Sequence, residues 1–392
     1  ESLILRLKGS TNLRYEIFVT VWGKRFVRKF VEFALASQLA PGNIPALSAA
    51  ADVTYRIYTD RASENYFQPE ITKLKKLAIV EFVFYEDLAY QNVTLLDAIN
   101  NSDPTIIKHN VQRETARHHM NLAKESSETA IMLLDSDFVF SDGSFAHIHE
   151  QRVKGKKAYA GMFVRLIEEK AIPILRSLLP KPLSARELVR IGMDNMHPLP
   201  RSMFIDAKKP SMYPTQINWN VNDNGFVANC FFPHPLMFEQ RPEIINYFST
   251  MDYEVLLRAV AVNDDLYYCQ SSEDLMFCKI SPESYFGSME AGSPPSIDVM
   301  ARFVIFNTNI RHRLFMGNPV RYLAREDEKA FRAVEREARS YTEAIYKNAE
   351  LLLAELSPSD PKIALYAKSF LGPIENFISP QIHSRMKDVL PK

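Results

Sequence analysis

The densest chemistry in the sequence is Leu133-Leu134-Asp135-Ser136-Asp137-Phe138. Two carboxylates emerge directly after an apolar run, Ala130-Ile131-Met132-Leu133-Leu134, that reads as a buried strand. On extended backbone, side chains at i and i+2 point the same way, so Asp135 and Asp137 face one spot. Such a pair suits a hard Mg²⁺ or Mn²⁺ ion that also bridges phosphate oxygens. Asp and Ser are also ordinary turn residues, so a plain polar turn explains the triplet equally when it is taken alone. Its place at the end of the fourth strand of an alternating series favours a ligand, because open α/β sheets bind ligands beyond the carboxyl ends of their strands.

Other reactive groups are scattered along the chain. Lys108-His109-Asn110-Val111-Gln112-Arg113-Glu114-Thr115-Ala116-Arg117-His118-His119 reads as a basic helix. Lys108 and His109 lie near its start, where the positive dipole end favours anions. Arg113 and Arg117 stand four apart on one face; they could contact a diphosphate or a sugar, or form a solvated basic face. His118 and His119 are adjacent and point apart on a helix, which argues against a two-histidine metal site. His234, between Pro233 and Pro235 at a strand end, is rigidly placed, and His312 is the second histidine of interest. Acidic residues cluster at Asp252, Glu254, Glu273 and Asp274, with Asp223, Asp264 and Asp265 in turns. Asp252 precedes the apolar helix Val255 to Val262, so it also fits a helix N-cap.

The elements that must position these groups alternate. Ile17 to Val21 predicts a strand, Phe26 to Leu39 a helix stopped by Pro41-Gly42-Asn43, and Val53 to Thr59 a second strand ending at Asp60. Leu77 to Phe84 predicts a third strand and His109 to Lys124 a helix before the apolar strand into Asp135. Strands separated by helices imply an α/β fold with a mainly parallel sheet covered on both faces. Further on, Lys154 to Val164 predicts a strand region and Ser184 to Ile191 a short helix. Phe226 to Phe232, Asp265 to Cys269 and Met276 to Ile280 predict strands. Glu326 to Leu356 is rich in Ala, Glu, Arg and Lys and predicts a long helix; a second follows over Ile363 to Phe377. The organisation expected is a catalytic domain over 1–320 and a helical extension over 321–392, either packed on the enzyme, forming a homo-oligomer contact, or binding a partner.

The order of strand, helix, a strand ending Tyr58-Thr59-Asp60, a polar helix, then an apolar strand into Asp-Ser-Asp resembles the GT-A glycosyltransferases. Val19-Thr20-Val21-Trp22-Gly23, followed by Leu39-Ala40-Pro41-Gly42-Asn43-Ile44-Pro45-Ala46-Leu47, is similar to poorly characterised bacterial members with an Asp-x-Asp motif. The resemblance spans roughly residues 15 to 310 and implies a GT-A (Rossmann-like) mixed sheet and a nucleotide-sugar donor. It implies that Thr20, Val21, Trp22, Tyr58 and Asp60 surround the nucleoside, each also readable as an ordinary strand end. Lys108, Arg113, Arg117, Asp135 and Ser136 would meet the rest of the donor. Asp135 and Asp137 would hold Mn²⁺ or Mg²⁺, with Asp137 a direct ligand, Asp135 on the ribose or a metal-bound water, and His234 the third protein ligand. A catalytic carboxylate would come from Asp252, Glu273 or Asp274. If no metal is used, Lys108, Arg113 or Arg117 would neutralise the diphosphate. The acceptor is a glycan, lipid or protein hydroxyl. Nucleotidyl transfer is disfavoured because Val21-Trp22-Gly23-Lys24-Arg25 has a single glycine where a phosphate loop needs several; a non-catalytic carbohydrate- or nucleotide-binding protein on the same fold is the other alternative.

Bulk properties agree with a globular enzyme. The chain has 392 residues, 46% hydrophobic and 24% charged, with 47 basic and 47 acidic side chains. Zero net charge points away from nonspecific nucleic-acid binding. Cys230, Cys269 and Cys278 lack the spacing of a disulfide framework or a thiolate zinc site and favour a reducing, cytoplasmic setting. No apolar run reaches membrane-spanning length. The sequence begins at Glu1 rather than a methionine, which leaves room for a removed signal or anchor.

Overall fold

A computed structural model describes residues 13–123, 128–211, 215–244, 254–260, 263–285, 296–308 and 310–356. Its strands run, in chain order, β1 (Arg14–Thr20), β2 (Asp52–Thr59), β3 (Ile79–Phe84), β4 (Ala89–Tyr90), β5 (Val93–Thr94), β6 (Thr129–Leu133) and β7 (Phe138–Phe140). They continue with β8 (Ala158–Gly161), β9 (Val164–Ile167), β10 (Gln216–Asn220), β11 (Gly225–Cys230) and β12 (His234–Glu239). The last are β13 (Leu266–Tyr268), β14 (Phe277–Ser281) and β15 (Val320–Leu323).

Seven strands form the main sheet in the order β13-β8-β12-β6-β1-β2-β3. β1 pairs parallel with β2 and β6, β2 with β3, and β13 with β8; β12 alone in this sheet runs antiparallel to its neighbours, β6 and β8. This is the mixed, mainly parallel α/β sheet expected, with helices on both faces. β1 shows why the chain folds this way: Tyr15, Ile17 and Val19 enter one apolar core while Phe18 enters the other. Period-2 alternation with both faces apolar demands cover on both sides.

Two elements differ from their sequence pattern. β12 contains Pro235, which cannot donate to a ladder; the strand survives through a register shift between Pro235 and Met237. The expected helix Phe26 to Leu39 is composite: Lys24–Lys29 is α-helical, Phe30–Leu35 is a π-helix, and Ala36–Gln38 resumes the α form.

A second sheet, β10-β11-β15, carries a third core with Trp219, Phe231, Phe303, Phe331 and Ile345. The 29-residue helix Glu328–Leu356 covers this core. The expected boundary at 320/321 therefore falls inside β15, which pairs with β11. The helix expected over Ile363 to Phe377 lies outside the described residues, as does Asp252.

Candidate functional site

The main sheet delivers Asp135 just beyond the carboxyl end of β6, on the edge where β1 and β2 also end. The chain then turns tightly, with the Phe138 N–H donating to the Asp135 carbonyl at 3.2 Å. It enters a third sheet, β7-β14-β9. The Ile280 N–H donates to the Asp137 carbonyl at 3.1 Å and fixes the turn from the other side. In this small sheet Lys279 of β14 stands between Phe138 of β7 and Arg165 of β9 in direct register.

That register puts two cations side by side, an arrangement that repels unless anions answer it. Asp135 and Asp137 supply the answer. The Lys279 ammonium donates to Asp135 Oδ2 in a very short contact and lies 3.8 Å from Asp137 Oδ1. Side-chain exposure is 20% for Lys279 and Asp137 and 29% for Asp135, so the cluster is recessed yet reachable from solvent. Aromatic rings floor it. Lys279 lies 5.3 Å from the Phe138 ring centre and 5.8 Å from Phe163. Arg165 lies 5.5 Å from Phe163 and 5.4 Å from Tyr285, and Lys108 lies 5.4 Å from the same tyrosine. Arg165 Nη1 also donates to Ser281 Oγ at 2.5 Å. At the margin, Glu168 accepts from Lys29 and Arg25, each at 2.9 Å; Lys29 is the last residue before the π-helix.

The charges bias one another. Burial would lower the Lys279 ammonium, but Asp135 and Asp137 outweigh it and hold the group protonated above its ordinary range. Burial would raise Asp135, yet Lys279, then His234, keep it below the usual carboxylate value. Asp137 goes the other way: burial raises it, and Lys279 only partly offsets burial and the Asp135 charge. Burial lowers His234 and favours neutral imidazole. A carbonyl can only accept, so the 3.2 Å contact from His234 Nε2 to the Leu133 carbonyl places the ring proton on Nε2.

The set of three protein ligands expected around a divalent ion is not assembled among the described residues: no three His, Cys, Asp or Glu side chains there are arranged to hold a metal ion. His234 donates Nε2–H to Leu133 and keeps its lone pair on Nδ1, and its ring stands perpendicular to Phe138 at 4.9 Å. The two carboxylates already share an ammonium. A divalent ion bound there would compete with that ammonium for the same carboxylate oxygens.

Of the residues expected around a nucleoside, Thr20 and Trp22 are partly exposed, and Trp22 stands edge-on to Tyr85 at 5.5 Å. Val21 is buried, and its N–H donates to the Tyr58 carbonyl at 2.9 Å. Tyr58 is wholly buried with its hydroxyl hydrogen-bonded to His118 at 3.0 Å, so its ring belongs to the core. Asp60 is a cap: its Oδ1 accepts from Ser63 N–H at 2.7 Å and its Oδ2 from Ser63 Oγ at 3.0 Å.

On the helix Pro104–Leu122, Arg117 pairs with Glu114 at 2.6 Å and Arg113 donates to Asn110 at 2.9 Å. Lys108, through Tyr285, is the basic helix residue tied to the cluster. His312 is buried against Phe232 and Phe315, in the region of the third core. Glu273 and Asp274 lie before β14, ahead of its first residue, whereas Lys279 sits at its middle. Glu273 is held by Arg186 at 2.6 Å, and Asp274 lies 3.9 Å from His147. They are not brought to Asp135 and Asp137. A cavity of about 30 Å³ beside Phe204, Met300 and Tyr341 has no charged lining residue.

Lys279, Arg165, Lys29 and Tyr285 escaped sequence reasoning. A signal was present for the first two. Phe277-Cys278-Lys279-Ile280 and Val164-Arg165-Leu166-Ile167 each place one cation inside an apolar strand, and a charge there must find a partner.

No family model matches the chain, and no curated protein does. Among solved structures it is similar to mouse xyloside xylosyltransferase 1 in its apo form, at 13% identity over 43% of this chain and 60% of that one, with a TM-score of 0.28. It is similar to the galactosyltransferase LgtC in complex with donor and acceptor sugar analogues, at 12% identity over 38% of this chain and 47% of that one, TM-score 0.24. It is also similar to S. aureus TarS, at 8% identity over 78% of this chain and 42% of that one, TM-score 0.27. The chain thus spans 42% to 60% of the length of these three structures, and its reading rests on its own geometry.

Proposed function

We propose that this chain is a glycosyltransferase that takes a sugar from a nucleotide-sugar and passes it to an acceptor hydroxyl. One observation carries the reading: a recessed cluster of two carboxylates and two cations, solvent-reachable, at the carboxyl edge of a mainly parallel sheet. Such edges are where open α/β sheets take ligands, and fixed cations there suit a diphosphate.

Rupture of the anomeric C–O bond leaves negative charge on the departing diphosphate. Lys279 and Arg165, already oriented by Asp135, Asp137 and Ser281, would stabilise that charge as it grows without reorganising. Trp22 offers a partly exposed ring at the end of β1 for the base, and Thr20 an adjacent hydroxyl. Asp252 is the proposed base for the acceptor proton in an inverting reaction. The acceptor is a glycan, lipid or protein.

The test is release of nucleoside diphosphate from a panel of UDP-, GDP- and CDP-sugars. At least one donor is expected to turn over, and Arg165→Met to slow it by about 100-fold, the scale of losing one transition-state donor. A chain that binds a donor but never releases nucleotide is a binding protein, and the enzymatic reading is then wrong.

A further inference from the structure

We propose that the Lys279 ammonium, with the Arg165 guanidinium beside it, stands in for a divalent cation at this site, so that a nucleoside diphosphate binds there without metal. The inference rests on the nucleotide-sugar reading above and adds to it which group neutralises the phosphates.

The argument is geometric. A metal bound by paired carboxylates sits between them and presents positive charge to phosphate oxygens. Here that place is taken. Lys279 contacts Asp135 Oδ2 and lies 3.8 Å from Asp137 Oδ1. It reaches the spot from β14, whose register with β9 sets Arg165 alongside. Three donors on an ammonium exceed what two carboxylate contacts consume, and a guanidinium carries five. Arg165 is known to spend one of its N–H groups on Ser281. The Lys279 ammonium therefore keeps donor capacity for phosphate oxygens, and Arg165 adds its fixed charge alongside.

The local sum of charge points the same way. Lys279 and Arg165 stand with Asp135 and Asp137, and at the margin Lys29 and Arg25 pair with Glu168, four positive charges against three negative. Lys108 adds another across Tyr285. A cluster built for a bare divalent ion needs the opposite excess, because the ion brings its own charge. The charged heads lie over aromatic rings, Lys279 over Phe138 and Phe163 and Arg165 over Phe163 and Tyr285, which fixes their direction and limits the entropy lost when an anion binds. Asp135 and Asp137 thereby become positioning residues: they hold a charged lysine in an apolar strand and aim it.

The experiment is calorimetric titration of the full chain with UDP, GDP and inorganic pyrophosphate, each in EDTA and in excess Mn²⁺. The expected result is affinity for at least one nucleoside diphosphate that agrees within threefold between the two buffers. Lys279→Met should weaken it at least tenfold in EDTA, and Lys279→Arg should restore most of that loss. Should Lys279→Met fold poorly, Asp135→Asn/Lys279→Met removes the ion pair together and is expected to bind as weakly. Binding in Mn²⁺ that vanishes in EDTA overturns the inference and leaves the nucleotide reading standing. Pyrophosphate binding in EDTA with no nucleoside diphosphate binding in either buffer supports the cationic site and removes the nucleotide. No binding of any probe in either buffer overturns both.

Discussion

A lysine in the middle of an apolar strand costs folding energy unless an anion meets it, and Lys279 meets two. Asp60 is the counterexample among the acidic residues. It ends β2 where a nucleoside contact was expected, but both oxygens serve Ser63, whose hydroxyl in turn accepts the Gly23 N–H at 2.9 Å. Asp60→Ala should cost about 1 kcal/mol, as loss of a cap does, read as a melting temperature lower by roughly 1–2 °C, with nucleotide affinity unchanged. Weaker nucleotide binding at an unchanged melting temperature would return Asp60 to the binding site. Glu273→Gln breaks an exposed pair with Arg186, worth at most about 1 kcal/mol, and donor hydrolysis should persist; its loss would restore Glu273 as a catalytic group. The sequence revealed Asp135 and Asp137 because two carboxylates after an apolar run are a local pattern. It hid Lys279 because the contact that gives the lysine meaning spans 144 residues.

Among the elements, strands with apolar runs or period-2 apolar alternation were legible; β6 is buried along its whole length, whereas β3 is an edge strand with Ile79 exposed. β1, β2, β3 and β6 were found within a few residues of their ends. β12 was not, because Pro233 and Pro235 signal interruption; the bulge that accommodates Pro235 depends on pairing with β8. The helix Glu328–Leu356 was legible from composition, while its role was not. Its residues Phe331, Ala338, Ile345 and Leu353 are buried, Phe331, Ala338 and Ile345 in the third core, whereas Leu351 is 59% exposed. Ile345→Ala should cost about 2–5 kcal/mol by cavity formation, and Leu351→Ala less than about 0.5 kcal/mol. Equal effects of the two in urea denaturation would show that the helix does not pack on β10, β11 and β15.

At the scale of the whole molecule, buried imidazoles set the response to acid. Burial lowers His109, His118, His119, His147, His149, His197 and His234. His119 goes furthest, to about 3, through burial and then the Arg56 charge. Its ring stacks on Phe18 at 4.6 Å, and neither nitrogen makes a well-formed hydrogen bond. In the unfolded chain a histidine titrates near ~6.5. As pH falls below that value the unfolded state gains protons the folded state refuses, so stability declines from there toward pH 3. Between pH 7 and 5, above most carboxylate titration, the melting temperature should fall, and His119→Gln should flatten that slope. Identical slopes would mean His119 charges freely in the native protein.

The main sheet contributes Asp135 at its edge, and the small sheet contributes Lys279 and Arg165 from β14 and β9. Asp135 to Phe138 is the length of chain that passes from one sheet to the other. The cluster is therefore a seam, and an anion seated on it bridges Lys279 of β14 and Arg165 of β9. It competes with Asp135 and Asp137 for the Lys279 ammonium, so it clamps the small sheet internally. Amide hydrogen exchange should slow in β9 and β14 when such an anion binds, while β10, β11 and β15, fastened to a different core, should exchange as before. Protection spread evenly over all three sheets would mean that the seam bears no part of the load.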